Sequence, residues 1–194
     1  MKKQIPNILT VFRVILVPLY TWVVLTDYAW GARVALAIFI LASVTDFFDG
    51  FLARRLNIVS VFGKFFDPLA DKILVAAALV TFVEKGWISA WYVVLILFRE
   101  FAVSGLRLLA ASDNGKVMAA ELPGKLKTAS TMLSIVVILA FRAHLAYGGG
   151  SMTAELHAFD VTANVLMIIC TGLTMWSGAD YAVTFLRGRR DGVE

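Results

Sequence analysis

Cysteine is almost absent from this sequence: one residue, Cys170, in a chain of 194. A lone cysteine has no partner in the chain, so an internal disulfide is excluded, and with it the disulfide-stapled scaffolds. Cys170 stands in an apolar run and reads as a buried helix thiol. Proline is scarce at four residues, and the 14 glycines follow no period, which excludes collagen-like and low-complexity classes. Charge is also low: Asp, Glu, Lys and Arg make up 16% of the chain, against about 25% in soluble domains. What fills the space is apolar. Hydrophobic residues reach 60%, against about 45–50% in soluble domains, and the mean hydropathy is +0.81. A soluble globule of this size has too little interior to hide that much apolar surface. The composition implies a polytopic membrane protein.

An apolar stretch of about 20 residues is long enough to cross a bilayer as a helix. Six are expected, near residues 8–26, 32–53, 67–84, 88–110, 126–146 and 160–186. They predict an all-α fold of six transmembrane helices, forming a single membrane-embedded domain over 1–194. The first stretch is not read as a signal peptide, because Arg13 interrupts it and no small-residue cleavage site follows. No internal repeat stands out, and Gly148-Gly149-Gly150 reads as a loop.

Loop charge sets the expected orientation. Lys2, Lys3, Arg54, Arg55, Lys64, Lys116, Lys125, Lys127, Arg187, Arg189 and Arg190 fall on one side. The other side holds Asp27, Glu84 with Lys85, and Glu155 with Asp160. Both termini are therefore expected in the cytoplasm. The net charge of +4 then reflects loops facing anionic lipid rather than nucleic acid. His144 and His157 read as surface residues, and Trp22, Trp30, Trp87 and Trp91 as interface anchors near helix ends.

Ionisable residues inside membrane helices are costly, which makes them functional candidates. With the second helix starting near Ala32, Asp46 lies ~21 Å along it, toward the cytoplasmic side. Asp46 and Asp49 are at i, i+3 and share a face, which Gly50 and Ala53 continue. Asp67 and Asp71, at i, i+4, share a face of the third helix. Two neighbouring antiparallel helices can aim four carboxylates at one point. Unneutralised, these would repel one another strongly in a low dielectric. All-oxygen ligands suit Mg²⁺, Mn²⁺ or Ca²⁺, and four acids suggest two metals, the arrangement used in phosphoryl transfer. Gly50 and Ala53 leave room beside them for a bulky ligand. Arg54 reads as a phosphate contact, Arg55 as a positive-inside anchor. Gly63 is expected in the connection between the two helices. Pro68 leaves two options: a first helical position with Asp67 as N-cap, or an early turn of a helix begun near Ser60.

The stretch Asp46-x2-Asp49-Gly50-x2-Ala53-Arg54-x8-Gly63-x3-Asp67-x3-Asp71 resembles the signature of the CDP-alcohol phosphatidyltransferase family. Further stretches resemble the branch of that family in bacteria that uses a glycerol phosphate. These are Ile5–Thr10 with Arg13, Arg99–Arg107, Gly124–Thr128 and Trp176-Ser177-Gly178-Ala179-Asp180-Tyr181. The resemblance implies a six-helix homodimer in the bacterial cytoplasmic membrane, with two divalent cations, Mg²⁺ or Mn²⁺, at a cytoplasmic-side active site. It implies a CDP-diacylglycerol donor, the 1-hydroxyl of sn-glycerol 3-phosphate as acceptor, and release of CMP. Asp46, Asp49, Asp67 and Asp71 then resemble the metal ligands, with Asp71 also the general base. Gly50, Ala53 and Arg54 resemble the part that binds the donor nucleotide.

An acceptor phosphate needs cations of its own. Arg99 and Arg107 lie in or beside the fourth helix, and Lys125 and Lys127 open the fifth on the same side. Arg suits bidentate phosphate contact, and a helix N-terminus adds favourable partial charge. The plainer readings are positive-inside placement for the two Lys and Glu100 as ion-pair partner of Arg99. Other acceptors, namely inositol phosphate, serine or phosphatidylglycerol, stay within the same reaction class. A divalent-cation transporter is the rival from another class.

Overall fold

The apolar stretches fold as helices. In this computed structural model they are α1 (Ile5–Leu25), α2 (Gly31–Leu56), α3 (Val61–Glu84), α4 (Ala90–Ser112), α5 (Leu122–Leu145) and α6 (Met152–Arg190). Backbone is described for residues 5–26, 28, 30–56, 61–112, 122–146 and 152–190. Side chains are described for 12–26, 28, 30–45, 72–109, 122–146 and 153–187. The glycine run 148–150 lies outside the described residues.

Three helices, α3, α5 and α6, begin at least one turn before their apolar stretches. α3 starts at Val61, so Gly63 is helical rather than part of a connection, and Pro68 sits in an early turn. The option of Asp67 as an N-cap is thereby overturned. α5 starts at Leu122, with Pro123 in the first turn, where a missing N–H leaves no bond unmade. α6 starts at Met152, and Glu155 in its first turn faces the favourable end of the helix dipole. In α5 and α6 the first turn extends the helix beyond its apolar span, so hydropathy marks the span and not the helix.

The α3–α4 connection shows how local chemistry sets the packing. Gly86 adopts a left-handed conformation (φ 67°). Its N–H reaches the Val83 carbonyl at 2.9 Å, and the Trp87 N–H reaches the Phe82 carbonyl at 2.8 Å. This pair of bonds closes the helix C-terminus, and the Phe82 and Trp87 rings, 5.3 Å apart, supply the accompanying apolar contact. Ser89 then caps α4, its hydroxyl accepting from the Trp91 N–H at 3.4 Å. Trp87 is buried, against the expectation of an interface anchor. The turn folds its ring inward, onto Phe159 and under the guanidinium of Arg142, 4.7 Å from the ring centroid. Trp22, Trp30 and Trp91 are exposed, as are His144 and His157.

Cross-helix contacts define two ends of the bundle. At one end Lys85, just past α3, donates to the Leu25 carbonyl that closes α1, at 3.0 Å, and Tyr92 of α4 meets Asn164 of α6 at 3.3 Å. At the other, α3, α4, α5 and α6 meet through Lys72–Ser104, Lys127–Glu100 and Arg99–Ser177. The core between them is built from Tyr20, Phe39, Phe82, Ile135, Leu139 and Met167. Cys170 is fully buried, as its apolar run implied, with its sulfur 3.0 Å from the Thr131 hydroxyl.

The outer face is apolar: Phe98, Phe101, Leu108, Leu133 and Ile168 are all exposed. Arg13, Arg99, Lys127, Thr131, Thr174 and Ser177 are buried instead. An exterior this apolar around buried charged side chains departs from that of a water-soluble domain. Among the described residues two segments, Leu122–Leu145 and Thr153–Arg187, are long and apolar enough to cross a membrane.

Candidate active site

Helical periodicity puts the charges of α4 in one place. Glu100, Ser104 and Arg107 follow at i, i+4 and i+7 and form one stripe, with Arg99 beside it. On α5 the same spacing aligns Gly124, Lys127, Thr128 and Thr131. Lys72 approaches from α3. All of these residues line one cavity of about 350 Å³, whose other described lining residues are apolar.

Within it the polar side chains are bonded to one another. Glu100 Oε1 accepts from Arg99 Nη1 at 3.1 Å and from Lys127 Nζ. The Lys72 ammonium donates to the Ser104 hydroxyl, which donates to the Glu100 carbonyl at 2.7 Å. Arg99 Nη2 donates to Ser177 of α6 at 2.6 Å. Arg99 Nε is buried and, among the described residues, without a hydrogen-bond partner. Arg107 is exposed, its guanidinium 5.3 Å from the Tyr181 ring centroid. Among the described residues one carboxylate therefore faces four cations: Lys72, Arg99, Arg107 and Lys127. The surplus is positive, in a partly enclosed space where charge is weakly screened. An anion with several oxygens, such as a phosphate monoester, matches it.

Of the four cations expected together from the sequence, three line this cavity. Lys125 is exposed and outside the lining. Glu100 is the ion-pair partner of Arg99, and of Lys127 as well. The sequence reading missed Lys72, Ser104 and Ser177. Lys72 adjoins Asp71, and Ser177 lies in a noted stretch, but nothing in the sequence tied either to α4.

The side chains of Asp46, Asp49, Gly50, Ala53, Arg54, Asp67 and Asp71 lie outside the described residues. Their backbone is helical: the first five positions fall on α2 and the last two on α3. The i, i+3 and i, i+4 spacings therefore act within continuous helix, as the shared-face argument requires. Position 71 is next to Lys72 and one turn, about 6 Å, before Val75; both of these line the cavity. A donor set of four carboxylates is the chemistry that Mg²⁺ or Mn²⁺ takes, so these residues fit such ions.

Apolar side chains on the outside and a cationic cavity within suit an enzyme that handles phosphate-bearing substrates. Residues 3–176 match the family model described as CDP-alcohol phosphatidyltransferase, and the chain belongs to that family. It is similar to a protein of Bacillus subtilis, 44% identical over 70% of this chain and 76% of the relative. It is also similar to one of Rickettsia typhi, 34% identical over 92% and 95% of the two chains. Both are named CDP-diacylglycerol–glycerol-3-phosphate 3-phosphatidyltransferase. A chloroplastic/mitochondrial relative of the same name from Arabidopsis thaliana is 35% identical over 91% of this chain and 61% of its own.

Proposed function

We propose that the protein transfers the phosphatidyl group of CDP-diacylglycerol to the 1-hydroxyl of sn-glycerol 3-phosphate, giving phosphatidylglycerol phosphate and CMP. The observation that carries this reading is the cavity lined by Lys72, Arg99, Arg107 and Lys127, the first of which follows position 71 in the chain. The names of the relatives agree with it.

The roles divide along the chain. Asp46, Asp49, Asp67 and Asp71 hold two divalent cations, Mg²⁺ or Mn²⁺, which when bound neutralise the donor's pyrophosphate and the leaving CMP. Gly50, Ala53 and Arg54 receive the nucleotide end of the donor. Arg99, Arg107 and Lys127 hold the acceptor's phosphate, with Lys72 beside them; Lys125 lies outside the cavity lining. The acceptor hydroxyl oxygen bonds to the phosphatidyl phosphorus, and the bond from that phosphorus to the anhydride oxygen breaks. CMP leaves with the electron pair. Asp71 takes the hydroxyl proton, since an alcohol is a weak nucleophile without a positioned base.

The same reading makes all six helices membrane spans of a bacterial inner-membrane protein, with both termini and the active site on the cytoplasmic side. A homodimer belongs to it too. Exposed apolar side chains on α1, α2, α4, α5 and α6 support lipid contact.

The test is CMP release by purified protein given CDP-diacylglycerol, Mg²⁺ or Mn²⁺, and equal concentrations of glycerol 3-phosphate, inositol phosphate, serine or phosphatidylglycerol. Glycerol 3-phosphate is expected to be fastest. If another acceptor outruns it, the reaction class survives and the acceptor is reassigned.

A further inference from the structure

The Trp176–Tyr181 stretch of α6 takes no part in the chemistry proposed above. Yet it touches both arginines of the cavity. Ser177 accepts the Arg99 Nη2 hydrogen bond at 2.6 Å, and both side chains are buried. Gly178 lies directly under the Arg99 stem: a Cβ there would stand 2.8 Å from Arg99 Cγ and 3.4 Å from Nε. The near atom is the second carbon of the side chain and not its flexible end, so any residue larger than glycine must displace the arginine. One helical turn after Ser177, Tyr181 offers its ring to the Arg107 guanidinium at 5.3 Å.

We infer that α6 sets the anion-binding geometry of the cavity: Ser177 and Gly178 position the Arg99 guanidinium, and Tyr181 positions that of Arg107. The inference rests on the proposed reading of the cavity as the acceptor-phosphate site. The physical reason for such a device lies in the side chain itself. An arginine has several rotatable bonds and loses much freedom when it holds one ligand. Glu100 fixes one end of the Arg99 fork. A second contact at Nη2, with a flat surface beneath the stem, fixes the plane of the fork before an anion arrives, which strengthens binding by removing ordering cost. Bonded this way, Arg99 presents an oriented face rather than a mobile charge. These three are positioning residues, since they act through the arginines and not on the substrate.

The experiment measures KM for donor and acceptor and kcat for Arg99→Ala, Ser177→Ala, Ser177→Thr, Gly178→Ala, Tyr181→Phe and Tyr181→Leu. All variants are compared as full-length protein in the same detergent. Ser177→Ala should raise acceptor KM about tenfold, the low end expected for a hydrogen bond to a charged group, with donor KM unchanged. Ser177→Thr keeps the hydroxyl and should recover most of that loss. Gly178→Ala should raise acceptor KM at least as much. Tyr181→Leu should raise it roughly two- to fivefold and Tyr181→Phe hardly at all, because the ring face and not the hydroxyl meets Arg107. If Arg99→Ala raises acceptor KM while Ser177→Ala and Gly178→Ala leave it at the wild-type value, the inference is overturned and the acceptor reading stands. If Arg99→Ala leaves acceptor KM unchanged, the acceptor reading falls and the inference falls with it. Equal increases in donor and acceptor KM for Ser177→Ala, without rescue by Ser177→Thr, mark a merely structural role and also overturn it. Should Gly178→Ala fail to fold, the two serine variants decide the outcome.

Discussion

Arg99 and Glu100 are neighbours in the chain and bind each other, Nη1 to Oε1 at 3.1 Å. Adjacent helical residues point about 100° apart, so such a contact does not arise from the helix alone. It forms because both side chains bend toward groups on other helices, Glu100 to Lys127 of α5 and Arg99 to Ser177 of α6. The pair thus ties three helices together at the end of the bundle where the acidic positions of α2 and α3 lie.

That arrangement predicts how the acceptor is held. Arg107→Ala should raise KM for glycerol 3-phosphate far more than for CDP-diacylglycerol, since it removes acceptor binding and leaves the donor site intact. Glycerol without its phosphate should be a very poor substrate. Steady-state kinetics with each substrate varied in turn checks both, and equal effects on donor and acceptor would count against the assignment.

The acidic positions predict metal dependence. Excess chelator should abolish turnover, and Mg²⁺ or Mn²⁺ should restore it, because four carboxylates cannot hold a pyrophosphate without cations between them. Turnover that persists in chelator would remove the metal site from the mechanism.

Ligand and base roles separate by substitution. Asp46→Asn and Asp67→Asn should weaken metal binding and activity together. Asp71→Asn should lower kcat by roughly 10²–10⁴, the usual scale of general-base catalysis, with donor binding better preserved. Metal titration beside single-turnover rates distinguishes the two patterns; wild-type turnover by Asp71→Asn would end its role as base.

Orientation is open to labelling. The native Cys170 is fully buried and gives a quiet background. Cysteine placed at the exposed position 187 should react with an impermeant reagent only from the cytoplasmic side, and one at the exposed position 157 only from outside. The opposite pattern would put the cavity on the wrong side for a cytoplasmic sugar-alcohol phosphate.

The α3–α4 turn makes a prediction of stability alone. Among the described residues, Gly86's own chain neighbours aside, no atom lies within 4 Å of a Cβ built on Gly86, so Gly86→Ala meets no clash there. Its cost comes from the left-handed backbone, about 1–2 kcal/mol. Thermal unfolding in detergent should register that loss while kcat and both KM values stay near wild type.

Helix number, the all-α class and the spacing of the acids could be read directly along the chain. Each rests on a local rule: an apolar length that spans a bilayer, or a repeat of three to four residues that shares a face. Helix starts were less legible. Polar first turns such as Leu122–Lys125 and Met152–Glu155 carry no hydropathy signal, although proline in a first turn and an early glutamate are compatible with helix.

What the chain could not specify locally is which way each face turns. Lys125 and Lys127 stand two residues apart on α5, a separation of about 200° around the helix. One is exposed and the other buried against Glu100, yet by composition and position they read alike. Trp87 reads like the exposed Trp22, Trp30 and Trp91 in the sequence and is buried by the turn at Gly86. Ser177 and Gly178 read as ordinary small residues until α6 packs on α4 and brings Arg99 against them. Local periodicity determines which residues share a face; only the packing of one helix on another decides which face meets the cavity, because that choice depends on contacts between segments far apart in the chain.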